Sequence, residues 1–248
     1  MSSLAELLKS VPANVVSVGT GTTTLTRDDS RVQILAVTAN QTRTVVMPSS
    51  GVKAGEVWRI QQRTAVNTAS GETRVVLQSS NASQIDIINA GFIEVVALID
   101  SPVASTDWLV SDYYSALDFN TTFLFNGAGS VATGNRDILL NRTNKIVSLA
   151  VGSNVSGTPA GTSTALNAVT AIPTQYRAPT FSFGGLFSIQ ENGVSISAPV
   201  FGRIQPNGIF SIYRDNLSAT TAFANSPNTG LSNNVADMQR ITYPIGPI

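Results

Sequence analysis

The chain contains no cysteine and no histidine in 248 residues. Without cysteine it can form no disulfide, no thiolate metal site and no Cys nucleophile. Without histidine it lacks the usual general base near neutral pH, the Ser-His-Asp triad and most zinc or copper ligation. Charge is scarce too. Asp, Glu, Lys and Arg make up 12% of the residues, about half the roughly 25% of an ordinary globular domain. Fifteen acidic and fifteen basic residues cancel to a formal charge of zero. The basic residues form no block, so phosphate neutralisation gives no case for nucleic-acid binding. No apolar run approaches the ~20 residues that span a bilayer as a helix, and no membrane insertion is expected. The opening MSSLAELLKSV has neither the basic start nor the long apolar region of a secretory signal.

Ser, Thr, Asn and Gly fill the space that charge leaves, between short runs of β-branched and aromatic residues. The stretch 186–215, LFSIQENGVSISAPVFGRIQPNGIFSIYRD, holds two Asn-Gly pairs, Asn192-Gly193 and Asn207-Gly208. Asn-Gly accepts the positive φ of a type I′ turn, so each pair marks a β-hairpin and the stretch reads as a four-strand meander. Seven strands are expected before it, at 31–38, 42–47, 56–62, 73–78, 83–88, 92–99 and 107–110, punctuated by Gly, Pro, Ser and Asn. Trp58 and Trp108 lie within them and are expected in the core. Further strands are expected at 119–125, 145–151, 166–171, 181–190 and 239–243, around long polar loops at 126–135, 152–164 and 225–234. No repeat at a solenoid period is visible.

The expected fold is all-β, with two β-sandwich, jelly-roll-like domains over 15–115 and 116–248. A short helix is expected ahead of them, within 1–14. There Leu4, Leu7, Leu8 and Val11 form an apolar stripe that Pro12 ends. Nine helical residues are too few to hold in water alone, so the stripe should dock, on its own domain or on a partner.

Chemistry is thin. Glycoside cleavage can run on two carboxylates without histidine, yet the acids sit in ordinary places. Asp28-Asp29 lies in a turn-like TRDDSR, Asp100, Asp107 and Asp112 surround one strand, and Glu191 and Asp215 flank hairpins. No calcium loop of the D-x-[DN]-x-[DN]-G type occurs. Gly19-Thr-Gly21 lacks the rest of a dinucleotide fingerprint, and no Walker A sequence is present. No cofactor, no metal site and no catalytic residue is expected.

Three short motifs resemble one family. IPTQYR at 172–177 with Pro179, then GRIQPNGIFSI at 202–212, then ITYP at 241–244, resemble the head module of bacteriophage tail fibres and baseplate receptor-binding proteins. Ala178 stands between Arg177 and Pro179, where such modules have Arg-Pro adjacent. In the first half, TVVMPSSGVKAGEVWRI at 44–60 is similar to small β modules of phage virions. The resemblance implies a non-enzymatic virion protein, a homotrimer attached to other virion proteins of tail or capsid. Residues 1–14 and 15–115 would serve attachment, and 116–248 would present loops to a host surface glycan. By loop position Asn126, Asn154 and Asn228 are the residues expected to face such a receptor. A capsid decoration protein is the alternative, and a small glycan depolymerase a more distant one.

Overall fold

The computed structural model describes residues 14–16, 21–37, 40–63, 73–126, 135–151, 155–180, 182–214, 221–231 and 240–245. Within them the regular structure is strand, apart from two single 3-10 turns, as an all-β chain requires. The expected N-terminal helix and its Leu4, Leu7, Leu8 and Val11 lie outside the described residues. Two compact units divide the chain between Leu117 and Asp118.

The first unit carries β1 (Asn14–Val16), β2 (Gly21–Thr24), β3 (Val32–Leu35), β4 (Thr42–Val46), β5 (Val57–Gln62), β6 (Arg74–Gln78), β7 (Gln84–Ile88), β8 (Ala90–Ala97) and the start of β9 (Trp108–Phe125). They form two sheets, in the orders β1-β3-β5-β8-β9 and β2-β4-β6-β7. Pairing is parallel from β1 through β3 to β5 and from β2 through β4 to β6. It is antiparallel for β5–β8, β8–β9 and β6–β7. Successive strands from β1 to β6 thus alternate between the sheets, and the chain winds like a short coil. This corrects the jelly-roll expectation for the first unit, since jelly rolls are antiparallel. The winding leaves no regular repeat in the sequence because its stacked partners are unevenly spaced. Asn14, Gln33 and Ile60 stack in one sheet, and Gly21, Arg43 and Val75 in the other.

One apolar cluster fills the space between these sheets. Leu35, Trp58, Ile60, Val95 and Tyr113 enter from one side, Val45, Met47, Val75, Leu77 and Ile88 from the other. Alternation of buried and half-buried positions along β4, β5 and β6 delivers them. Each fully buried aliphatic side chain contributes about 1.5–3 kcal/mol against exposure. Polar groups knit the join where β7 passes to β8. The Tyr113 hydroxyl donates to the Ile87 carbonyl, and the Asn89 amide N–H donates to the Ser115 hydroxyl oxygen at 2.9 Å.

In the second unit the rest of β9 is joined by β10 (Asn135–Thr143), β11 (Ile146–Val151), β12 (Val155–Gly157), β13 (Ala165–Ala168), β14 (Ser182–Glu191), β15 (Val194–Ile204), β16 (Phe210–Tyr213), β17 (Thr229–Leu231) and β18 (Arg240–Pro244). The order β9-β13-β16-β15-β14-β17-β12 is antiparallel throughout, as are β10–β11 and β11–β18. Edge-to-face rings brace the core, Phe123 on Phe210 and Phe125 on Phe223.

The expected four-strand meander has three strands. Its two hairpins share β15, which runs through Pro199. Proline cannot donate to a ladder, and the register accommodates it, slipping between the pairs Phe187↔Val200 and Ile189↔Ile196. At Asn192-Gly193 both residues have positive φ, 53° and 75°, as a two-residue type I′ turn demands. The second turn differs: of Asn207 and Gly208 only the glycine is left-handed, and the Gly208 N–H closes back on Gln205.

Gly91 on β8 shows how tightly the first unit is paired. At φ 148° a Cβ there would lie 2.0 Å from the Tyr114 carbonyl oxygen of β9. Gly91→Ala should therefore lower stability by at least ~3 kcal/mol through strain and lost pairing. Urea unfolding measures this, and an unshifted midpoint would contradict the geometry.

Candidate functional site

The three motifs at 172–177, 202–212 and 241–244 are far apart in the chain, and the second unit brings them together. After β13 the chain leaves the sheet and makes one 3-10 turn, Thr174–Tyr176, closed by Tyr176 N–H on Pro173 and Arg177 N–H on Thr174. The Ile172 N–H donates to the Gly208 carbonyl at 2.8 Å, and the Arg177 Nε donates back to the Ile172 carbonyl at 2.6 Å. Gly208 sits under this loop so closely that a Cβ would be 2.6 Å from both the Ile172 oxygen and Arg177 Nε. Only glycine fits. From β18 the Tyr243 hydroxyl donates to the Tyr176 carbonyl at 2.7 Å, and from β10 Arg142 Nη1 donates to the Gln175 carbonyl at 3.2 Å.

This clasp is buried. Ile172 and Tyr176 are fully enclosed, and Arg142, Gln175, Ala178 and Tyr243 nearly so. Burial pushes the Tyr243 phenol well above its ordinary pKa, so it remains a neutral donor at any working pH. Such a cluster can position strands and loops. It offers a ligand no surface.

Among the residues expected to face a receptor, Asn126 has another task. Its Oδ1 accepts from the amides of Thr164 and Ala165 at 2.8 and 2.7 Å, and its Nδ2 donates to the Thr164 hydroxyl. It brackets the end of β9 to the start of β13 and is itself exposed. Asn154 lies outside the described residues. Asn228 is exposed, with φ 55°, and its carbonyl accepts the Gly193 N–H at 3.2 Å. Around it the hairpin and loop are tied down by Glu191, whose Oε1 takes Arg214 Nε at 2.9 Å and the Ala224 N–H at 3.3 Å. Thr229 adds a hydroxyl shared with Ser226 at 3.0 Å.

The acids weighed for catalysis act as local acceptors. Asp29 takes the amide and hydroxyl of Thr26 at 2.7 and 3.0 Å. Asp100 takes the Ala54 N–H and pairs with Lys53, both of which hold its carboxyl below the ordinary value. Asp107 is lowered likewise by the amides of Ala104 and Val103. Asp118 alone is raised, by partial desolvation on β9 and then by the charge of Asp137 on β10. Among the described residues no group of three or more acids could hold a metal ion. No helix among them is long and apolar enough to cross a membrane.

Compared with known proteins, the chain matches no protein-family profile, and no curated protein is significantly similar to it in sequence.

Two outcomes follow from this geometry. Tyr243→Phe strands a buried carbonyl and should cost about 1–3 kcal/mol in urea unfolding; a change within error would show the clasp is dispensable. Because Asp118 is raised in the folded state, its ionised form detracts from stability above that folded pKa. This loss fades as pH falls through the folded pKa towards the unfolded value. Asp118→Asn should therefore stabilise at pH 7 and lose its advantage in acid, as thermal unfolding across pH would record. An advantage that grows on acidification would refute the assignment.

Proposed function

We propose that the chain is a non-enzymatic structural protein of a bacteriophage particle. In this reading it is a homotrimeric tail-fibre or receptor-binding protein. The first unit and the segment before it join other virion proteins, and the second unit, jelly-roll-like in its antiparallel strands, meets a host surface glycan. The observation that carries the reading is the clasp. The three segments that resemble the phage head module converge on one another, as pieces of one module should. The use of Asp29, Asp100 and Asp107 as turn and loop acceptors supports a binding role over hydrolysis. Low charge and a wealth of Ser, Thr and Asn suit hydroxyl-rich ligands, which are recognised by hydrogen bonds without net charge. Asn126 and Asn228, both exposed, are receptor-facing positions in this reading.

Antibody labelling of intact particles in the electron microscope tests the location. Signal at the tail is expected, whereas signal over the shell would replace this reading with capsid decoration. Turnover of host polysaccharide that one Asp or Glu substitution abolishes would replace it with a depolymerase. Sedimentation should give about three times 26.0 kDa, and a monomer at micromolar concentration would remove the trimer.

A further inference from the structure

A groove of about 200 Å³ opens in the first unit at the carboxyl ends of the parallel strands β2 and β4. Ligands often seat at the carboxyl ends of parallel strands, where diverging connections leave a crevice. Here the chain leaves β2 with the Leu25 N–H on the Val46 carbonyl and leaves β4 with the Met47 N–H on the Gln78 carbonyl. These bonds hold the walls in register. Buried Leu25, Met47 and Pro48 give an apolar floor. Thr24, Ser49 and Ser50 line it with hydroxyls that, among the described residues, make no hydrogen bond to protein. Arg27 completes the wall, its stem lying over the Gly51 turn, where a Cβ would approach Arg27 Cδ to 2.9 Å. The nearest acid to Arg27 is Glu56 at 4.0 Å, already bonded to Arg31 at 2.7 Å.

We infer that this groove binds one neutral sugar ring. The apolar floor matches the C–H face of a pyranose, and the hydroxyls and the Arg27 fork match its rim of hydroxyl groups. Size selects a single ring, since drug-sized ligands fill roughly 300–1,000 Å³. Charge selects a neutral one. Glu56, 4.0 Å from Arg27, offsets the one charge among the lining residues, so an anionic sugar gains little net attraction there. The inference goes beyond the receptor reading, because it gives a saccharide site to the unit assigned there to particle attachment.

Titrating the full chain with glucose, galactose, mannose and N-acetylglucosamine, followed by amide NMR, tests it. At least one should bind with a Kd on the order of 1–10 mM, the range open to a ligand of about a dozen non-hydrogen atoms. Shifts should cluster at residues 24–27, 47–50 and 80. Ser50→Trp, at an exposed position, should fill the groove and weaken binding at least ~10-fold. Arg27→Met should weaken it severalfold and provides a second variant should Ser50→Trp disturb folding. Shifts elsewhere, unchanged binding in a folded groove variant, or no shift at ~50 mM of every sugar would overturn the inference. Host-surface binding that survives in the blocked protein leaves the receptor reading intact, since that reading rests on the second unit.

Discussion

One-sided burial between paired strands is the constraint on which everything else here rests. The chain has no disulfide and little charge, so the apolar face of each sheet must be covered by another layer of the same unit. In the first unit the cover is reciprocal. Trp58 and Ile60 on one sheet meet Val75 and Leu77 on the other in a single cluster. Every β-branched residue that turns inward requires a polar or half-exposed neighbour to turn outward, and this fixes register strand by strand. Charged pairs decorate the result. Arg31–Glu56 is partly sheltered, and Lys53–Asp100 is exposed and worth little.

The second unit adds a different device. Residues 172–177 leave the sheet and carry backbone groups into the interior, where each needs a partner. Gly208, Tyr243, Arg142 and Arg177 supply them from a hairpin turn, two strands and the loop itself. A segment without a ladder is thereby held as firmly as a strand. Its neighbours pay in freedom: residue 208 must be glycine, and residue 243 must keep its hydroxyl. Loops tied in the same manner, at Glu191 and Asn126, present a preorganised surface, which lowers the entropy lost when a partner binds.

Much of this could be read from residues alone, and the failures have physical causes. Strands at 42–46, 57–62 and 74–78 were legible because they are short runs rich in β-branched and aromatic residues between Gly, Pro and Ser breaks. The long β9 was read as two strands. A bulge between Val110 and Asp112 shifts the phase, so Trp108 faces inward before it and Tyr113, Ser115 and Leu117 after it. A period-2 pattern that changes phase looks like an ending. Strands β12 and β17 hid in segments read as loops, because Val-Ser-Gly and Thr-Gly-Leu have no length over which alternation could show. Among site residues, the bonds of the Asn126 side chain to Thr164 and Ala165 were not legible, because those partners lie far along the chain. The groove at Thr24 and Ser49 left no local signal, since its walls come from different strands.

By itself the sequence determined the class and its limits: an all-β chain, hairpins at both Asn-Gly pairs, no thiol or imidazole chemistry, and no apolar run as long as a bilayer-spanning helix needs. Those conclusions depend on composition and on contacts between near neighbours, which a linear pattern records. Strand direction, the coil of the first unit, the clasp around 172–177 and the groove were decided only by tertiary structure. Parallel and antiparallel partners need the same alternating residues, and a buried carbonyl can take its donor from anywhere in the chain.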